Sequence, residues 1–350
     1  MNLREHRNFR LHSRFDVESA SLNYFVINAN LFEQPIKEVQ MMWLVLSLLA
    51  AVSFGLRGIL YHAASQRRLN RSLMLCGVFC TGAVLSLAGI LAYNQVWSTA
   101  ALTGMMMGLF SYGANACMFK GFAVGKPSLI AILTALPPVV VVVLAYLLWG
   151  ETLSAGQLLS FIVIVGGILL VRYSNDLTLG NLQGAGWGLL ATLFFGFNDV
   201  TAKLSTLLGA DTFPTLFFMF ITGTTAFGLT WLVERRQASV MLRAAATAGG
   251  LQSQAASAEA AAAEQRGRIR WTPRNTFLAG LVVGLTNITG MVFILSAFET
   301  GITSLVSAVI ALNVLIILLY TRIYLREKFT PLELTGMATA FIGIVMLRLF

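Results

Sequence analysis

Charge is scarce in this chain: Asp, Glu, Lys and Arg make up 11% of its 350 residues, against about a quarter in soluble domains. That shortage excludes a water-covered surface. Cysteine is nearly absent, and the three present, Cys76, Cys80 and Cys117, all fall in apolar runs, so no disulfide framework is implied. Cys76 and Cys80 share a helical face, but no histidine or carboxylate joins them in that run, and they read as small buried hydrophobes. His6, His12 and His62 are the only histidines and form no ligand set. No HExxH sequence, glycine-rich phosphate loop or ATPase domain is present, so no metal, cofactor or ATP-driven step is expected.

Apolar residues fill the chain instead, at 57%, with a mean hydropathy of +0.76. Crossing about 30 Å of hydrocarbon takes roughly 20 residues of helix. Runs near that length lie at about 42–61, 72–93, 101–120, 127–149 and 154–171, and again at about 185–206, 213–233, 276–298, 302–325 and 332–349. The expected fold is an all-α integral membrane protein with ten transmembrane helices.

The two sets of runs are copies of each other. At a constant offset of 176, Gly125 pairs with Gly301, Ser128 with Ser304, Ala135 with Ala311, Glu151 with Glu327 and Gly167 with Gly343. Upstream, LLAAVSFGLRG matches LLATLFFGFND and sets Gly55 against Gly196 at an offset of 141. The offsets differ by 35, and the polar, alanine-rich stretch after Val233 has room for that insertion. The organisation expected is a polar leader at 1–41, one five-helix repeat at 42–172 and a second at 184–350 that carries the polar insertion 234–275. Five spans are an odd number, so the second repeat enters the bilayer from the opposite side and is inverted. Inverted repeats are a mark of secondary transporters, with a site near the midplane that opens alternately to each face.

Five features together resemble the drug/metabolite transporter superfamily, in particular its EamA-like branch. They are the order of five spans, the turn Gly150-Glu151 after the fourth, the entry Gly125 to Ser128, the pair Pro137-Pro138 within the fourth span, and the second copy at Gly301 to Glu327. The resemblance covers about 42–350 and implies ten helices, a central cavity and export or exchange of small metabolites or drugs. The second copy departs from the pattern, with Asn313 in place of Pro137 and Arg326 in place of Gly150.

The leader lacks the apolar core of a signal peptide. It reads as a mis-called start, because Lys37-Glu38-Val39 can be encoded by a purine-rich ribosome-binding sequence with Met41-Met42 following. Loop arginines and lysines put the odd-numbered loops in the cytoplasm: Arg67, Arg68 and Arg71, Lys126, Arg172, the cluster from Arg235 to Arg274, and Arg326 with Lys328. Relatives of the resembling family are expected to place both termini inside, which disagrees. The net charge of +9 is thus a topology and lipid signal, and anionic headgroups rather than nucleic acid are the partner expected, since no aromatics interleave with the basic residues. A small-molecule substrate, a monomer or homodimer, and the cytoplasmic membrane of a bacterium complete that expectation.

An ionised group in hydrocarbon costs at least ~2.5 to 3.5 kcal/mol on insertion scales, so polar residues inside the spans are functional candidates. Arg57 in the first span aligns with Asn198 in the sixth, and Gly58 with Asp199, so these groups face each other across the axis of an inverted repeat. A structural alternative stands beside that reading: Asp199 and Lys203, four residues apart, neutralise each other, while Arg57 snorkels to the headgroups. Lys120, Asn115 and Tyr112 form a second cluster in the third span, and Asn287 and Asn313 are isolated amides in the eighth and ninth. The substrate-binding candidates are Arg57, Tyr112, Asn115, Lys120, Asn198, Asn287 and Asn313, in a cavity lined by the first, third, fourth, sixth, eighth and ninth spans. Asp199, the only carboxylate deep within a span, is the proton-coupling candidate.

Pro137-Pro138 break the backbone ladder of the fourth span and predict a kink beside the cavity. Glu151 and Glu327 read as structural carboxylates, each placed to stabilise the start of the following helix. Gly104 to Gly108, repeated at Gly280 to Gly284, has the spacing that lets helices approach closely. A carrier accounts for the repeat; a membrane-embedded lipid-modifying enzyme or a non-transporting scaffold is the alternative, and the enzyme lacks a nucleophile, base or metal constellation.

Overall fold

The structure, a computed structural model, describes residues 42–64, 69–173, 183–247, 272–324, 326 and 328–349. The leader 1–41, most of the 234–275 insertion and Glu327 lie outside them, with the expectations placed there. All regular structure among the described residues is helical. The helices are α1 (Met42–Ala64), α2 (Arg71–Tyr93), α3 (Thr103–Val124), α4 (Pro127–Leu133), α5 (Pro137–Trp149), α6 (Ala155–Arg172), α7 (Ala185–Leu207), α8 (Thr212–Thr247), α9 (Pro273–Thr300), α10 (Thr303–Ile310), α11 (Asn313–Ile323) and α12 (Pro331–Leu349).

Eight segments are long and apolar enough to cross a membrane, counting Leu129–Trp149 and Thr303–Ile323 as one each. The other two segments expected to span are α3 and α7, helices of 22 and 23 residues whose apolar character is diluted by Asn115 and Lys120 in one and by Asn198, Asp199 and Lys203 in the other. Local sequence sets the helix starts. Ser154 and Gln157 form a capping box at α6, and Thr330 and Glu333, their equivalents 176 residues on, form the same reciprocal pair at α12.

Glycine contacts reveal the relation between the repeats. A Cβ added at Gly82 or Gly89 would strike the ring of Phe220 or Phe213, and one at Gly223 would strike Phe79. Residue numbers on α2 and α8 therefore run in opposite senses. In the same way Gly167 lies on Ala340, Gly343 on Ile164 and Gly336 on Val171, so α6 and α12 are antiparallel. These are equivalent helices in the two copies, and the second copy is inverted. Their partner interfaces come in matched pairs: a Cβ at Gly104 would fall 2.0 Å from the Thr215 carbonyl oxygen on α8, and one at Gly280 would fall 2.2 Å from that of Met74 on α2. The small-xxx-small spacings are thus backbone contacts, used once by each repeat.

The fourth span is broken, as its prolines predict. Pro137 and Pro138 sit at the first positions of α5, where no amide donor is needed. The Leu133 carbonyl, whose i+4 donor would be Pro137, accepts the Leu136 amide at 3.0 Å and the Thr192 hydroxyl of α7 at 2.6 Å. The ninth span breaks at the equivalent place, between α10 and α11, although Asn313 stands where the first copy has proline. That break was not anticipated; only the repeat could have signalled it. The turns beyond match as well, with Gly150 and its replacement Arg326 both left-handed at φ 67° and 56°.

Candidate functional site

A cavity of about 300 Å³ lies between the repeats. Its polar wall joins Arg57 of α1, Asn115 of α3, Asn198 and Asp199 of α7, Asn287 of α9 and Asn313 of α11. Both broken spans contribute, through Ala135, Pro137 and Pro138 on one side and Ala311 on the other. The first, third, fourth, sixth, eighth and ninth spans all line it, joined at single points by the second, fifth and seventh through Phe79, Arg172 and Met219.

Arg57 does not reach for the headgroups. It donates to Oδ1 of Asn287, and its guanidinium carbon lies 4.3 Å from the Phe54 ring centroid and 6.0 Å from that of Tyr61, where aromatic faces attract a cation. Asp199 accepts the Ser307 hydroxyl of α10 at 2.7 Å and the side-chain amide of its neighbour Asn198. With the Asn198 amino group so committed, its Oδ1 is buried without a hydrogen-bond partner.

Lys203 does not neutralise Asp199, although four residues separate them. Its Nζ donates to the carbonyls of Phe298 at 2.5 Å and Gly301 at 3.1 Å. The carbonyls at the end of α9 have no intrahelical donor and carry the negative end of the helix dipole, so they hold the buried ammonium by hydrogen bonds there. Glu151 is likewise a capping residue, but of a different helix from the one expected. Its carboxylate accepts the amides of Thr303 at 3.0 Å and Ser304 at 3.1 Å and the Ser304 hydroxyl at 2.9 Å, and so caps α10 in the other repeat rather than the α6 that follows it. Burial by itself would push this carboxyl up; the donors of Ser304 and Thr303 outweigh it and hold the group below the usual carboxylate range. Lys203 and Glu151 thus clasp the α9–α10 junction from both sides.

Two candidates fall outside the cavity. Tyr112 shares a hydrogen bond of 2.8 Å with Thr230 on α8 and packs on Phe227. Lys120 is exposed. At about 100° per residue, Tyr112 is rotated some 60° from Asn115 and Lys120 some 140°, enough to aim all three at different neighbours. Conversely, Arg172 lines the cavity although its place at the end of a span reads as a loop charge.

The cavity is displaced toward one end of the bundle. Tyr61, Phe122 and Arg172, near the C-terminal ends of α1, α3 and α6, are in its wall. At the opposite end the Lys203–Glu151 clasp lies above fully buried Thr303, Val306 and Phe298.

The profile of the EamA-like transporter family matches residues 41–173 and again 182–349. The chain belongs to that family. A solved crystal structure shares its fold, with a TM-score of 0.63 at 12% identity over 89% of this chain and 98% of the other. No curated protein matches it significantly. As an EamA-like protein it is an integral, multi-pass membrane transporter of small molecules, set in lipid by its apolar helices.

Proposed function

We propose that this EamA-like protein is a secondary transporter, an exporter or antiporter of a small metabolite or drug, built from ten spans in the cytoplasmic membrane of a bacterium. It works by alternating access and is driven by proton exchange at Asp199. The observation that carries this reading is the single cavity whose polar groups come from both inverted repeats and from two discontinuous spans, the arrangement in which carriers hold substrate near the midplane. Asp199 is the one carboxylate among the described residues of that wall. It is bonded to Ser307 on the half-helix α10, so gain or loss of its proton changes a contact between α7 and the broken span. Arg57, Asn115, Asn198, Asn287 and Asn313 supply the binding surface, and the prolines of α5 hold the wall open at the break.

Asp199→Asn keeps the volume and most of the hydrogen-bonding capacity but cannot titrate. In proteoliposomes with an imposed pH gradient it should lose uphill transport while keeping downhill exchange and substrate-induced thermal stabilisation. Uphill transport at the wild-type rate would reduce Asp199 to a structural group.

A further inference from the structure

A second hollow, open to the outside of the bundle, lies where α2 and α9 begin and α8 leaves the apolar layer. It holds about 390 Å³ and is lined by α2 through Leu73 and Cys76, by α8 through Gly228, Trp231 and Leu232, and by α9 through Phe277. Gly228 opens it. A Cβ there would meet only the Cys76 sulfur within 4 Å, at 3.6 Å, whereas five residues earlier on the same helix one at Gly223 would strike the Phe79 ring at 2.1 Å. Gly223 lets two helices approach; Gly228 leaves a gap between them.

The rim above this apolar groove is cationic. Arg235 and Arg236 lie one turn beyond Trp231 and Leu232, and Arg274 lies three residues before Phe277, so each shares a helix face with a lining residue. All three arginines are exposed, and the Arg235 guanidinium carbon sits 5.6 Å from the Trp231 ring centroid. Glu234 is the one carboxylate in the described residues of these three helix ends. Its two oxygens accept the Asn70 side-chain amide at 2.7 Å and the Ser72 hydroxyl at 2.8 Å, which turns it toward α2.

The plain alternative is an ordinary dent in a lipid-facing surface. The other repeat tests that, because inversion relates this corner to the end of α2 and the starts of α8 and α3. There Tyr93 stacks on Phe213 at 5.4 Å, and Trp97 packs edge-on to Phe217 and Phe218 at 5.4 and 5.6 Å. By the offset of 141, Leu87 stands where the second copy has Gly228. Asp211 is the only charged side chain among residues 93–104 and 207–218. The equivalent corner is thus filled by side chains and carries no cation, so the groove and its arginines occur together.

We propose that this groove binds one anionic glycerophospholipid, with an acyl chain against Gly228 and Phe277 and the phosphate between Arg235 and Arg274. Trp231 then lies at the level of the ester linkages, as interfacial tryptophans do. The loop charges assign this end to the cytoplasm, whose leaflet carries anionic lipid. The site ties α2 of the first repeat to α8 and α9 of the second, and it does not depend on the transport reading of the central cavity.

The test uses the full-length protein in phosphatidylcholine bilayers carrying graded amounts of brominated phosphatidylglycerol or brominated phosphatidylcholine with the same chains. Bromine quenches nearby tryptophan, and the part of the signal lost in Trp231→Phe reports this site. That part should saturate at a mole fraction roughly 10- to 30-fold lower for phosphatidylglycerol, the worth of two interfacial arginines. Arg235→Gln combined with Arg274→Gln should cut the preference below about 3-fold, while Arg348→Gln, an exposed arginine closing another helix, should keep it. Gly228→Leu, which installs the residue of the first copy, should replace saturable quenching by the linear response that bulk lipid gives. Glycerol 3-phosphate, which has the phosphate without the chains, should not compete. Equal saturation by the two lipids would overturn the anionic headgroup, and saturable quenching that survives Gly228→Leu would overturn the groove. Relief of quenching by glycerol 3-phosphate would assign the arginines to a free phosphate instead of a lipid. A signal with no saturable part would overturn the site.

Discussion

The half-helix α10 is buried at all eight of its residues, whereas its repeat equivalent α4 is buried only at Ile130 among the side chains described. The contrast extends to their neighbours. Phe298, before α10, is fully buried, while Phe122, its equivalent before α4, lines the cavity. Lys203 is buried on two carbonyls; at the matching place on α1 stands His62, partly exposed and 6.3 Å from the ring of Tyr320. One sequence element, written twice, is held in two environments at once. Such a difference cannot come from the fold of either copy alone; it reflects a cavity that reaches one end of the bundle and stops short of the other. On the proposed alternating-access mechanism the two environments exchange, and the residues that differ between the ends would set which is shut.

The sharpest way to break this comparison is to truncate both phenylalanines. Phe298→Ala should cost about 2–3 kcal/mol, below the usual range for buried phenylalanine because lipid withdraws part of the transfer gain and leaves mainly the lost packing. Phe122→Ala should cost under about 1 kcal/mol, since that side chain already borders open space. Equal losses in detergent melts would mean that the two ends are equally packed.

Next in size is the cation. Lys203→Met keeps the length of the side chain but strips the donors from the Phe298 and Gly301 carbonyls, and should destabilise by about 1–3 kcal/mol. His62→Met should cost less than half as much. A cysteine probe at Ser307 should also label faster from the shut end in the Lys203→Met background; unchanged labelling would separate the clasp from closure.

The smallest effect expected is at Glu151, where Gln preserves the shape and one acceptor. Its carboxyl is held below the ordinary range, so the stability it adds is present above the unfolded value of about 4.3 and is lost as pH falls through the folded one. The melting difference between wild type and Glu151→Gln, about 1 kcal/mol at pH 7, should shrink as pH is lowered below about 4. A difference that stays constant to pH 3 would show that the charge is not what caps α10.

Much of this was legible in the chain. The offsets of 176 and 141 locate the repeats, and the odd span count demands the inversion that the antiparallel glycine contacts display. The intramembrane amides and Arg57 also reach the cavity. What was not legible depends on contacts between the copies. Nothing near Glu151 in the sequence names Thr303 and Ser304 as its partners, since those amides are exposed to it only because α10 begins beside a turn of the other repeat. Pairing of Lys203 with Asp199 stood as the structural alternative because i, i+4 spacing is visible and helix ends in another span are not. Arg172 was hidden by position, because a basic residue closing a span reads the same whether a cavity or water lies beyond it.

The clasp at the α9–α10 junction has a consequence for voltage. It sets one positive group, Lys203, on the carbonyl end of α9 and one negative group, Glu151, on the amide end of α10. A membrane potential does about 2.3 kcal/mol of work per elementary charge per 100 mV when that charge crosses the whole field. A cation and an anion that travel together contribute opposite amounts. In the proposed cycle, an opening that carries both groups together would move no net charge through the field, and the electrical work would fall on the occupant of the cavity and on the charges in its wall.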